Sequence, residues 1–325
     1  MNRSIGHRAR WTGAVVFAVA LWFGAGVALL AGASLAHAAG KLNVVTTTQD
    51  LASIAAEIGG DRIAVESLAK GYQDPHFVDA KPSYLLKLRK ADLFIEVGRE
   101  LEIGWAPGLL NNARNKKIQP GAPGFLDASS NVAILELGGR VGREQGDVHP
   151  LGNPHYWLNP ENGLVMAANV RDALARLAPA DAAYFQSRYA SFESRLRAKI
   201  AEWKKSATAL GLTGMKVVTY HRSWPYFADA FGLDVVDYVE PRPGVPPAPR
   251  HVQELGATMK SQKVGLLIVE PYFDPKLSQQ IARNAGVPMV VLPPSVGATP
   301  AAADYFALFD AQFDLIRKAL AGVKP

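Results

Sequence analysis

The chain has 325 residues, 49% of them hydrophobic, with 35 Lys plus Arg against 29 Asp plus Glu and no cysteine. That length buries a sizeable core without covalent staples. The missing cysteine excludes disulfides, thiolate metal sites and thiol catalysis, so a metal here would rest on histidine and carboxylate.

Residues 1–38 read as a cleaved export signal. Arg3, Arg8 and Arg10 make a basic start, and an apolar run without acid or base extends from Trp11 to Leu35. Ala36-His37-Ala38 closes it with the small-x-small pattern that signal peptidase reads. The run is long enough to span a bilayer, but its small-residue end favours cleavage. Cleavage before Ala39 leaves 287 residues and removes three basic side chains, so 32 Lys plus Arg face 29 acids and the net charge falls from +6 to +3. Part of the basicity is therefore a targeting feature, and nucleic-acid binding gains little support from it. The expected location is the periplasm, with no cysteine to carry a lipid anchor.

Beyond the signal, apolar runs rich in β-formers predict strands at Leu42–Thr47, Ile63–Leu68, Leu93–Val97, Lys216–Tyr220, Val235–Val239, Gly265–Val269 and Met289–Leu292. Helical patterns fall between most of them, among them Leu51–Ile58, Ser83–Lys90, Val252–Ser261 and Lys276–Asn284. Continuous apolar strands alternating with helices argue for an α/β fold of mainly parallel sheets, covered by helices on both faces.

The middle of the chain differs. From Asp181 to Leu210 there is no Gly or Pro, and Phe185, Tyr189, Phe192, Leu196, Ile200, Trp203, Ala207 and Leu210 recur at spacings of three and four. That predicts one long amphipathic helix, ended by Gly211 and Gly214. A rod of roughly 45 Å between two α/β halves suggests a spine. The expected division is an N-terminal lobe at 39–180, a connecting helix at 181–210 and a C-terminal lobe at 211–325.

Five histidines follow the signal: His76, His149, His155, His221 and His251. His76 lies in Asp74-Pro75-His76-Phe77, past the strand ending near Leu68, and His221 follows directly on Lys216–Tyr220. In open α/β sheets ligands bind beyond the carboxyl ends of strands, so one histidine from each half points to the ligand end. His155 lies in Asn153-Pro154-His155-Tyr156-Trp157-Leu158-Asn159-Pro160. A lone histidine in a Pro-containing loop is more often a hydrogen-bonded loop residue than a ligand, and spacing alone leaves both readings open. His-Glu-x-x-His, P-loop and Gly-x-Ser-x-Gly patterns are all missing.

Three pieces carry a family resemblance: Asp74-Pro75-His76 before the Lys-Pro-Ser start at residues 81–83, the 153–160 stretch, and Thr219-Tyr220-His221 followed by aromatic residues. With the long helix between the second and third, the chain from about Lys41 to Leu320 resembles the TroA-like and ZnuA-like periplasmic receptors of zinc and manganese ABC importers. The resemblance implies two α/β lobes joined by a rigid helix, with one metal ion in the cleft and no enzymatic activity. It implies His76 and His155 as ligands from the first lobe and His221 from the second. It also implies the membrane permease of an ABC importer as partner, with the receptor a monomer. Imidazole suits Zn2+, whereas Mn2+ prefers more carboxylate, so zinc is the expected cargo and manganese the alternative.

The sequence departs from that family at one point. Many members place an aspartate ligand after the last strand, and here Leu292-Pro293-Pro294-Ser295 puts Pro294 in its place. Glu270, ending Leu266-Leu267-Ile268-Val269, is the nearest replacement, with a supporting role or a water ligand as the other readings. His149 is a candidate for auxiliary capture, while His251, after a proline-rich loop, reads as structural. Trp157, Trp224 and Tyr226 are expected to pack beside the site. The rival functions are a zinc hydrolase using the three histidines with Glu270 as base, a manganese receptor or adhesin, and an organic-solute receptor of similar architecture.

Overall fold

A computed structural model describes residues 40–137 and 149–322. The signal segment assigned to residues 1–38 lies outside the described residues. The first half runs β1 (Leu42–Thr46), α1 (Gln49–Gly59), β2 (Ile63–Ser67), α2 (Pro82–Lys90), β3 (Leu93–Glu96), α3 (Ala106–Ala113), β4 (Phe125–Asp127) and α4 (Pro160–Leu177). A long helix, α5 (Ala182–Ala209), follows. The second half runs β5 (Lys216–Thr219), α6 (Pro225–Phe231), β6 (Asp234–Tyr238), α7 (Pro249–Ser261), β7 (Leu266–Val269), α8 (Pro275–Ala285), β8 (Met289–Val291) and α9 (Tyr305–Ala321).

Every strand pairing is parallel, and the two four-stranded sheets share one order, β2-β1-β3-β4 and β6-β5-β7-β8. Parallel pairing forces a crossover connection between neighbours, and helices supply most of them. The seven expected strands form within a residue or so of their expected bounds. β4 was not expected, because Phe-Leu-Asp is too short to show a period. β7 is buried along its whole length, which explains its unbroken apolar run.

Local signals set the helix starts. Asn159, Asp274 and Asp304 cap α4, α8 and α9, accepting from Glu161 N at 2.9 Å, Lys276 N at 3.0 Å and Ala307 N at 2.8 Å. Pro160 and Pro275 stand in the first turn, where a missing N–H costs nothing.

The 28 residues of α5 make a rod of about 42 Å. Its buried stripe is Phe185, Phe192, Leu196, Ile200, Trp203 and Ala207. These residues belong to one continuous apolar core that also takes in Val44, Leu93 and Ile95 from the first sheet and Val217, Leu266 and Ile268 from the second. Removing one such aromatic, as in Phe192→Ala, typically costs about 3–5 kcal/mol. The last helix returns to the first half. Tyr305 N–H donates to Ser53 Oγ on α1 at 3.0 Å, and its hydroxyl donates to Trp157 O at 2.7 Å. Phe309 packs on Trp203 with ring centroids 4.8 Å apart.

Candidate metal centre

Three loops at the carboxyl ends of strands carry the histidines. The chain leaves β2 with Leu68 N and Ala69 N bonded to Thr46 O and Thr47 O, then turns through Asp74-Pro75-His76. Asp74 Oδ1 accepts from His76 N at 3.0 Å, and Trp105 Nε1 donates to Pro75 O at 3.0 Å, so this turn is held from both sides. Its approach to the second half is close: a Cβ on Gly71 would meet Val296 O at 1.9 Å. His155 sits ahead of α4, its N–H donating to Asn153 Oδ1 at 2.9 Å, while Asn153 Nδ2 reaches Arg222 O at 2.8 Å across the cleft. His221 follows β5, and Thr219 Oγ1 ties its carbonyl at 2.8 Å.

These loops bring His76, His155 and His221 together. One ring nitrogen from each lies within 4.8 Å of the other two. The ring centroids stand 5.2, 5.3 and 5.4 Å apart, close to an equilateral triangle. All three rings are buried, at 7%, 2% and 5% exposure. A tetrahedral zinc with Zn–N of about 2.0–2.1 Å sets its donors roughly 3.3 Å apart, so modest ring shifts bring the triangle onto an ion.

The outer nitrogens are already engaged. His76 Nδ1 contacts Asp74 Oδ1 at 2.7 Å and His221 Nδ1 contacts Glu240 Oε2 at 2.7 Å. An ionised carboxylate only accepts, so each Nδ1 carries a hydrogen and, in the neutral ring, Nε2 carries the lone pair. That is the carboxylate–histidine arrangement that orients imidazole toward a metal. Burial pushes the Asp74 carboxyl upward, but its hydrogen bonds and charge pairing with His76 more than offset this and hold it below the usual range. His155 differs, because neither of its ring nitrogens has a hydrogen-bond partner among the described residues. Burial, then the charges of His76, His221 and His149, holds its pKa well below that of free imidazole. A neutral imidazole buried without a hydrogen-bond partner is costly by itself, and its lone pair is of a kind a cation can use.

Glu270 lies outside the three-histidine cluster. Its Oε1 accepts from Trp224 Nε1 at 3.0 Å, its Oε2 lies buried near Ser223, and burial pushes its carboxyl up to about 8 against the smaller opposing effect of its hydrogen bonds. Pro294 offers no donor side chain, and its carbonyl accepts from Trp157 Nε1 at 2.8 Å. Trp157, Trp224 and Tyr226 are all buried beside the site, with the Trp157 ring 5.0 Å from that of His155. His251 donates from Nε2 to Tyr238 O at 3.0 Å, a structural contact. Two residues the sequence reading left out or undervalued stand here. Glu240 has a signal in the sequence, since β6 and β7 both run into Val-Glu-Pro, at 239–241 and 269–271. His149 places its Nε2 3.0 Å from His76 Nε2.

The family model described as zinc-uptake complex component A, periplasmic (ZnuA), matches residues 44–319. The chain belongs to the ZnuA family. That is a family of metal-binding receptor components of ABC importers, not of enzymes, which sets the hydrolase alternative aside. Among similar proteins, the manganese ABC transporter substrate-binding lipoprotein PsaA of Streptococcus pneumoniae is 29% identical over 276 residues, covering 83% of this chain and 85% of PsaA. The zinc-binding lipoprotein AdcA of the same species is 27% identical over 274 residues, covering 82% of this chain and 52% of AdcA. A crystal structure of ZnuA superposes with a TM-score of 0.71 at 23% identity, over 86% of this chain and 99% of that one. The periplasmic metal-binding protein of Candidatus Liberibacter asiaticus does so at 0.70 and 19%, over 86% and 100%. ZnuA-family architecture therefore accounts for the paired sheets and the long helix. The relatives' names divide between manganese and zinc.

Proposed function

We propose that this chain is an exported periplasmic receptor that captures Zn2+ between its two halves and delivers it to the permease of an ABC importer. In this reading the halves are lobes at 39–180 and 211–325, the helix at 181–210 joins them, and the receptor is a monomer. His76, His155 and His221 are the ligands, and Glu270 stands behind the site against Trp224. The supporting observation is the convergence of three buried imidazoles, two of them oriented by carboxylates. The cluster contains no carboxylate among the described residues, and an all-nitrogen donor set suits zinc better than manganese.

The test is elemental analysis of the purified chain with calorimetric titration of zinc and manganese. One zinc per chain, bound more tightly than manganese and lost in His221→Ala, is expected. A chain that binds neither metal overturns the receptor reading, and tighter binding of manganese overturns the choice of zinc.

A further inference from the structure

Three imidazoles leave a tetrahedral ion one donor short. Neither residue first considered for that place is positioned to fill it. Pro294 has no donor side chain, and Glu270 lies outside the cluster with one oxygen on Trp224. The acids that do touch the cluster, Asp74 and Glu240, face the outer nitrogens of His76 and His221.

His149 is not one of the three mutually close ligands, but it approaches the inner nitrogen of His76, the side away from Asp74. Its Nε2 is 3.0 Å from His76 Nε2, and the two ring centroids are 5.1 Å apart. The nitrogen separation is near the roughly 3.3 Å that two donors on one tetrahedral zinc adopt. His149 is also tied to the His155 loop: its carbonyl accepts from Gly152 N at 3.0 Å, and Asn153 N then bonds Leu135 O at 3.0 Å. Gly152 makes that turn at φ 95°, a region that favours glycine, with Ile134 and Leu137 crowding the place of a Cβ. His149 is therefore carried by the same short turn that delivers His155.

We propose that His149 is the fourth nitrogen donor, so that the ion is held by His76, His149, His155 and His221. This rests on the receptor reading above and deepens it. Without metal one hydrogen bridges the two Nε2 atoms across the 3.0 Å contact. The ion takes that hydrogen's place between the two nitrogens, and the hydrogen is released. A shell of four neutral nitrogens with no anionic oxygen favours zinc over manganese more strongly than three nitrogens and a carboxylate would.

The test compares the full chain with His149→Ala and His221→Ala by zinc-edge X-ray absorption and by competition against a chromophoric chelator. The wild type is expected to show four imidazoles. His149→Ala is expected to show three plus one oxygen, with an affinity loss beyond the roughly 10–100-fold that a lost outer partner costs. Unchanged metal-free melting and circular dichroism establish that the variant is folded. The same imidazole count in the wild type and His149→Ala overturns the proposal while leaving the receptor reading intact. A wild type that takes up no zinc, or a His221→Ala that binds it undiminished, removes the receptor reading and the proposal together.

Discussion

Asp50 gives the most quantitative expectation. It lies on α1, fully buried, and its Oδ1 accepts from Val296 N at 2.9 Å, across 246 positions of sequence. Its Oδ2 is buried without a hydrogen bond of ordinary geometry among the described residues. Burial pushes the carboxyl from 3.8 up to about 7, against the smaller opposing effect of hydrogen bonds from Val296 and Ser295. Below pH ~4 the carboxyl is protonated in both folded and unfolded chains, and the native state keeps its full stability. Between pH ~4 and ~7 the unfolded chain releases this proton while the native chain retains it, so stability falls as pH rises. Above pH ~7 both states are ionised and the loss is complete. A displacement of about 3 pK units at 1.36 kcal/mol each makes that loss about 4 kcal/mol. Asp50→Asn keeps the shape and cannot ionise. The difference in unfolding free energy between the Asp50→Asn variant and the wild-type chain, measured by urea denaturation from pH ~4 to ~8, is therefore expected to shift by about 4 kcal/mol in favour of the variant. Every other titrating group cancels in that difference. A difference that stays flat across the range would refute the buried, neutral carboxyl, and one that moved the opposite way would mean the site prefers the anion.

Glu240→Gln keeps an acceptor for His221 Nδ1 but removes the charge, and zinc affinity is expected to fall by about 10–100-fold with little change in metal-free stability, read by chelator competition and thermal melting. Zinc binding is also expected to weaken as pH falls through about 6.5, where free imidazole takes a proton; an affinity flat from pH ~7.5 to ~5.5 would point to carboxylate ligands. Gly71→Ala puts a methyl group against the Val296 carbonyl and is expected to destabilise by about 1–3 kcal/mol. Gly108→Ala, on an exposed face of α3 where nothing meets the added carbon, is expected to leave stability unchanged or slightly raised, which makes it the matched control.

The strands were legible because burial on both faces writes an unbroken apolar run, as in Leu266-Leu267-Ile268-Val269. The long helix was legible because its buried residues keep the spacing of three and four from Phe185 to Ala207. β4 was not legible, since three residues cannot show a period. At the centre, His76, His155 and His221 could be singled out by their places after strands and in a distinctive loop, helped by the resemblance. The outer partners were harder. Asp74 is local to His76, but Glu240 reaches His221 from a neighbouring strand, and Glu270, at the end of Leu266-Leu267-Ile268-Val269, is the nearer choice by topology for the missing aspartate's place. Only the packing of β6 against β5 distinguishes the two. The contact of His149 with His76 spans 73 positions and has no sequence period at all.

The return of α9 has a mechanical consequence. A receptor with a thin hinge opens like a shell, and its cargo comes and goes with that swing. Here α9 is tied to the second half through Gln312 and Pro293 O at 2.8 Å and to the first half through Tyr305, which reaches Ser53 Oγ at 3.0 Å and Trp157 O at 2.7 Å, while Phe192 packs on Phe306 at 5.4 Å, so the two halves are bolted at the back as well as along the rod. Swinging them apart would tear aromatic contacts out of the core. With that swing blocked, exchange of a cleft-bound ion falls to the turns around it, so exchange rates are expected to respond to substitutions in the turns carrying His76 and His221 more than to changes along the rod.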